Sequence, residues 1–210
     1  MYQQPIVVIG AGIVGLSTAY ALLQQGMKNV FVLEQATVDH SLATSHGISR
    51  LLRFEYGADK LYAEMVRLSL RRWKHLERLT KRTLYTQTGL LVLGDEDDGF
   101  TSDSYYTLRE LGYVPERLTQ RSCAQRFPQF STSSYNLLTY NIDAGALHAS
   151  VCLRTLKDAI LDQGGQILEN HRVTRLIHDN HLLPLRIQLA SGEEMTAARV
   201  VVAAGPWVHR

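Results

Sequence analysis

Residues Ile6-Val7-Val8-Ile9 form an unbroken apolar, β-branched run. A run of this kind predicts a strand buried on both faces of a parallel sheet. Residues 13–25 then place apolar side chains at helical spacing and stop at Gly26, a helix C-terminus signal. Val30-Phe31-Val32-Leu33 repeats the pattern of the first strand. The three segments together predict a βαβ unit.

The pattern changes after Leu33. Residues 35–50 are polar and irregular, with a Ser/Thr/His-rich middle. A long basic helix is expected from about Leu61 to Lys81. Leu61, Met65, Leu68, Leu76 and Leu79 should line one side, and Arg71, Arg72, Lys74, Arg78 and Arg82 should form its solvated face. Residues 84–93 predict strands around Gly89, and Asp95 to Ser104 is acidic and loop-like. Short helices are expected near 103–111 and 119–126, the second capped by Thr119. Residues 135–148 predict strand and loop, and 149–162 a helix ending at Gly164-Gly165. Strands are expected at Gln166–Glu169, Val173–Ile177 and Leu185–Leu189, before a turn at Ser191-Gly192. The last element is a buried strand, Arg199-Val200-Val201-Val202-Ala203-Ala204-Gly205.

The first chemical signal is the turn Gly10-Ala11-Gly12-Ile13-Val14-Gly15, which fits GxGxxG. Gly10 allows a tight turn, Gly12 lets backbone approach a pyrophosphate, and Gly15 lets helix and strand pack closely. The helix N-terminus then offers N–H groups and a partial positive charge to phosphates. Alone the motif is weak. Here it follows a strand, opens a helix and precedes a second strand ending in Glu34, where a ribose-hydroxyl ligand belongs. An acid there argues against NADP. The spacing leaves NAD and FAD both open.

Composition narrows the alternatives. The chain has 210 residues, enough for one large domain or two small ones, with 45% hydrophobic and 20% charged residues. Its net charge of +2 gives no argument for nucleic acid or an acidic membrane surface. No apolar run approaches the roughly 20 residues of a membrane span. Cys123 and Cys152 form no CxxC pair and suit reduced thiols in a cytoplasmic setting. No histidine has metal-ligand spacing, so no metal is expected. No GxSxG or Cys/His nucleophile pattern supports hydrolase chemistry.

Four further segments carry a resemblance. Thr44-Ser45-His46-Gly47-Ile48-Ser49-Arg50-Leu51-Leu52-Arg53 resembles the segment after the second strand in flavoproteins of the D-amino-acid oxidase superfamily. It is most similar to the monomeric sarcosine oxidase, pipecolate oxidase and N-methyltryptophan oxidase branch. Gln87 to Gly94, Arg126-Phe127-Pro128 and Ala204-Gly205-Pro206-Trp207 look like the same branch. The resemblance implies FAD. It implies that Gly10, Gly12, Gly15, Glu34 and the adjoining Gln35 hold the ADP half. Thr44, Ser45 and His46 then run beside the cofactor toward the flavin. Val173 meets the adenine through its backbone, and Gly205 and Trp207 close the returning strand. Arg50 lies by the isoalloxazine ring, and Arg53 matches an arginine that binds the substrate carboxylate. A planar guanidinium fork suits a carboxylate, and a cation near the flavin favours the anionic reduced form. Catalytic roles therefore fall on Arg53, Arg50 and His46. The bland alternatives are surface ion pairs for the arginines and a structural histidine for His46. Arg50 and Arg53 share a face only if their segment is helical.

The expected fold class is α/β: a discontinuous Rossmann-like FAD-binding domain, residues 1–83 and 146–210, with part of a β-rich substrate domain, 84–145, inserted. The expected chemistry is oxidation of the C–N bond of a secondary amine or N-methyl amino acid, sarcosine- or pipecolate-like, with O2 as acceptor and imine and hydrogen peroxide as products. Alternatives are a dehydrogenase of the same superfamily using a quinone or protein acceptor, or a catalytically silent FAD-binding subunit. Members of this branch are substantially longer. Their C-terminal half holds the flavin-linking cysteine, the oxygen-activating lysine and most of the substrate sheet. The resemblance therefore implies non-covalent FAD here, and a second chain or missing C-terminal half to complete the site.

Overall fold

The computed structural model describes residues 5–178 and 184–208. In chain order the elements are β1 (Ile6–Ile9), α1 (Ile13–Gln24), β2 (Val30–Leu33), β3 (Arg50–Leu52), α2 (Lys60–Thr80), β4 (Tyr85–Thr86) and β5 (Leu90–Gly94). Then come α3 (Gly99–Glu110), β6 (Glu116–Arg117), α4 (Gln120–Arg126), β7 (Leu137–Asn141), β8 (Gly145–Leu147) and α5 (Ala149–Asp162). The remainder is β9 (Gln166–Leu168), β10 (Val173–Ile177), β11 (Leu185–Leu189), β12 (Glu194–Ala197), β13 (Arg199–Val202) and a 3-10 turn at Gly205–Trp207.

Two compact units result, Met1–Ile48 with Ala149–Arg210, and Ser49–His148. The first unit thus closes at Ile48 rather than at residue 83. Helix α2 belongs with the second unit because its inner face packs there, with Ala63 buried beside Leu52, Phe54 and Tyr85.

The first unit is built on a parallel sheet in the order β13-β1-β2-β9. Val7 and Leu33 face a second, antiparallel sheet, β10-β11-β12, whose Ile187 and Leu189 bury against them. Strand alternation sends Val8, Val30 and Val32 to the opposite face, where all three are fully buried. Helices α1 and α5 pack together, and Leu16, Ala19 and Leu23 of the one and Leu153, Leu156 and Ile160 of the other are buried. Gly165 lets them meet: a Cβ there would stand 2.8 Å from Leu23 and 2.7 Å from Ile160. The last strand departs from expectation. β13 is an edge strand ending at Val202, half-exposed where burial was expected, because only β1 pairs with it.

The second unit has an antiparallel sheet β5-β7-β6 and a small sheet β3-β8-β4. Here too the structure revises the sequence. α3 starts at Gly99, inside the expected loop, because Asp98 caps it by accepting the Phe100 N–H. The expected inner stripe of α2 is largely outside: Leu61, Met65 and Leu79 are 66%, 52% and 60% exposed. Val66, Leu70 and Trp73 pack on the core instead.

Candidate functional site

A cavity of roughly 360 Å³ opens at the carboxyl ends of β1 and β2, lined wholly by the first unit. Open α/β sheets bind ligands at this end of their strands. Its floor is the β1–α1 turn. Gly10 has φ +102, and a Cβ there would lie 2.5 Å from the Ala203 carbonyl. Gly15 lies behind the lining, where a Cβ would sit 1.8 Å from the Gly10 carbonyl. These two glycines let turn, helix and β13 come together. Gly12 differs. Its backbone is ordinary, with φ −73, and a Cβ would meet only the Ser45 hydroxyl, at 3.2 Å.

Gly12 gives α1 no side-chain cap, and the first turn carries no acid. The Ile13 N–H is satisfied from across the fold, donating to Ser45 Oγ at 3.0 Å. The rest of the turn presents its positive end to the cavity through Ile13 and Val14.

The wall beside β2 is organised by Glu34. This carboxylate is buried, accepting the Ala11 N–H at 2.7 Å and the Ala36 N–H at 3.1 Å. His40 Nδ1 accepts the Leu42 N–H at 3.2 Å, so the ring proton sits on Nε2, 3.9 Å from Glu34. Opposite, His171 donates from Nδ1 to the Glu169 carbonyl, and its N–H donates to the Glu34 carbonyl. Burial works against the charge on Glu169. The Lys157 ammonium at 2.8 Å and the Val38 N–H at 2.7 Å outweigh it and hold the carboxyl below its ordinary value.

Of the residues expected to hold a cofactor, Gly10, Gly12, Glu34, Gln35, Thr44, Ser45, Val173, Gly205 and Trp207 all line this one cavity. His46 does not. Its Nδ1 donates to Asp39, 2.9 Å from Oδ1, and the ring stands beside the cavity loop. Arg50 and Arg53 belong to the second unit. Arg50 is in extended β3, so the two arginines form no shared helical face. Arg50 is exposed and donates to the Ser49 carbonyl. The Arg53 guanidinium lies 5.0 Å from the Tyr56 ring centroid and 5.5 Å from that of Phe100. Sequence reasoning missed His40, His171 and Arg172, which also line the cavity. His171 and Arg172 directly precede Val173, so that neighbourhood was the signal available for them, whereas nothing in the chain marks His40.

The parallel sheet, the glycine turn and the acid closing β2 define a Rossmann-like dinucleotide-binding arrangement. Residues 5–210 match the FAD dependent oxidoreductase family, DAO, and the chain belongs to it. Mouse peroxisomal sarcosine oxidase is 33% identical over 204 residues, 97% of this chain and 51% of that protein. Monomeric sarcosine oxidase of a Bacillus species is 27% identical, again across 51% of its length. Among solved structures, a variant of NikD, described as an unusual amino acid oxidase essential for nikkomycin biosynthesis, superposes with a TM-score of 0.84. It is 25% identical, and the match covers 99% of this chain and 52% of that one. L-proline dehydrogenase from P. horikoshii shares the fold, with a TM-score of 0.83 at 20% identity. The chain spans about half the length of the curated relatives it matches.

Proposed function

We propose that the chain holds FAD non-covalently in this cavity and forms the cofactor-binding part of an oxidase of secondary amines or N-methyl amino acids. One observation carries the reading: the bare α1 N-terminus, the Gly12 backbone, Ser45 and Glu34 meet in a single cavity. Phosphates would lie at Gly12 and the first turn of α1, where N–H groups and the helix dipole favour negative charge. A ribose hydroxyl would donate to Glu34, whose oxygens each still have lone pairs after accepting one N–H. Val173, His171 and Arg172 would flank the adenine end. Neither Cys123 nor Cys152 lines the cavity, and both are buried, which favours non-covalent attachment.

When bound, FAD supplies the ring that accepts a hydride from the carbon beside the amine nitrogen. The chain's own part is to bind and orient. Arg53 is the proposed clamp for the substrate carboxylate. Its contacts with the Tyr56 and Phe100 rings hold the guanidinium in place, and its planar N–H fork suits a carboxylate. Among the described residues no carboxylate pairs with Arg53. Sarcosine- and pipecolate-like substrates fit this clamp, with O2 as acceptor, and imine and hydrogen peroxide as products. The other half of a family-length protein, on this chain or another, completes the substrate side.

Two measurements test the reading. The purified chain should take up FAD with a flavin absorption spectrum and quenched flavin fluorescence, and denaturation should release the FAD intact. A chain that takes up no FAD, or that binds NAD instead, overturns it. Supplied with its complementing half, the protein should release peroxide from sarcosine or pipecolate. Reduction of the flavin without peroxide would sink the oxygen acceptor.

A further inference from the structure

The loop that carries Thr44 and Ser45 into the cavity is held by a residue outside the lining, Asp39. Its side chain is nearly buried. Oδ1 accepts from His46 Nδ1 at 2.9 Å and from the Ser150 hydroxyl at 2.8 Å, and Arg154 approaches Oδ2 at 4.0 Å. The Asp39 carbonyl lies 3.0 Å from the same His46 nitrogen. Both neighbours of Nδ1 are acceptors, so that nitrogen carries a proton. The backbone reaches this geometry at φ +68, a left-handed conformation that costs a non-glycine residue energy. Strain of this kind persists only where surrounding contacts enforce it.

Those contacts tie the loop to α5. The Ala149 and Ser150 N–H groups donate to the Ile48 and Gly47 carbonyls, and the Ser150 hydroxyl also reaches Gly47 O at 2.9 Å. Within the loop, Ala43 N–H donates to His40 O and His46 N–H to Ala43 O, giving two successive turns. Thr44 and Ser45 sit in the second turn, between Ala43 and the clamped His46. Ser45 in turn completes the N-terminus of α1.

We propose that Asp39 is a positioning residue for the cofactor cavity: its carboxylate locks His46 and Ser150 and thereby sets where Thr44 and Ser45 stand. The inference rests on the FAD reading above and deepens it. Asp39 touches no cofactor; it acts through the turn that does.

The test compares FAD titrations of the whole chain as wild type, Asp39→Gly, Asp39→Asn and Ser150→Ala, with ¹⁵N spectra of the His46 ring. Glycine accepts φ +68 without strain, so Asp39→Gly removes the carboxylate alone. It should weaken FAD binding about tenfold, as expected from losing hydrogen bonds to a charged group. Asparagine keeps an acceptor oxygen and should cost less than about threefold. The His46 Nδ1 should stay protonated throughout, because the residue 39 carbonyl remains as an acceptor, but its ¹⁵N resonance should shift in Asp39→Gly, where the side-chain acceptor is gone. Asp39→Gly binding FAD within about twofold of wild type overturns the proposal, as does a His46 Nδ1 resonance that does not move. If Asp39→Gly does not fold, Ser150→Ala decides: a loss of about threefold supports the proposal and an unchanged affinity refutes it. A wild type that takes up no FAD is a failure of the functional reading itself.

Discussion

Gly12 and Gly15 belong to one motif, yet the structure gives them different duties, and alanine substitutions should separate these. At Gly15 the added methyl would stand 1.8 Å from the Gly10 carbonyl oxygen and 3.4 Å from the Ala203 Cβ. Backbone cannot step aside as a side chain can, so α1 must lift from β1. The helix gains about 1 kcal/mol from alanine's better propensity. Overpacking typically costs about 1–3 kcal/mol; against rigid backbone at 1.8 Å about 4 kcal/mol is expected, which leaves a net loss of about 3 kcal/mol. For a chain of this size that lowers Tm by about 6–12 °C. At Gly12 alanine fits φ −73, and its methyl meets only the rotatable Ser45 hydroxyl, at 3.2 Å. The stability cost should be about 1 kcal/mol or less, the N-cap difference between glycine and alanine. The methyl would instead occupy the cavity floor where a phosphate needs to reach the helix N–H groups. Losing one or two such charge-assisted bonds weakens FAD binding by about 10- to 100-fold. Thermal unfolding of the apo chain and FAD titration, run on both variants, give the two axes. Gly12→Ala unfolding as early as Gly15→Ala, or Gly12→Ala holding FAD within about threefold of wild type, refutes the division of labour.

Glu169 should give the first unit an acid-dependent stability. Its folded pKa is lowered, so its contribution is present above the ordinary value of 4.5 and is lost as pH falls through the folded value. Glu169→Gln should lower Tm at neutral pH, converge with wild type at low pH and so flatten the acid limb of a Tm-against-pH curve; an unchanged limb would refute the assignment. Asp59 caps α2 by accepting the Leu61 and Tyr62 N–H groups, at 3.0 and 3.4 Å. Asp59→Ala should cost about 1 kcal/mol in urea unfolding, and asparagine should restore most of it.

The first βαβ unit was legible because each of its signals agreed with the others. Apolar runs gave β1 and β2, helical spacing gave α1, and the glycines and Glu34 fell where the turn and strand end need them. The outward face of α2 was not legible. That helix carries two apolar stripes, Leu61-Met65-Leu68 and Ala63-Val66-Leu70-Trp73, and periodicity cannot say which one meets the core. β13 looked fully buried because its valines match those of β1, but burial also depends on what pairs on the second side. The acidic run before Gly99 suggested a loop, whereas Asp98 works as a helix cap. In the cavity, the motif residues could be named from the chain. His40, His171 and Asp39 could not: no motif marks them, His40 bonds locally to Leu42, and the bonds of His171 to Glu34 and of Asp39 to Ser150 cross the chain.

The first unit is assembled from two stretches of chain with Ser49–His148 between them. β1 pairs with β13 through Ile6↔Arg199, and β2 with β9 through Phe31↔Gln166. A ribosome adds about 5–20 residues per second. β1, α1 and β2 therefore emerge first and wait several seconds for their sheet partners. The second unit is continuous in the chain and can fold within that interval. Pairings this distant slow folding, because loop closure precedes any contact that rewards it. The wall formed by Ala203 to Trp207 is synthesised after every other wall of the cavity, so cofactor capture has to wait for it.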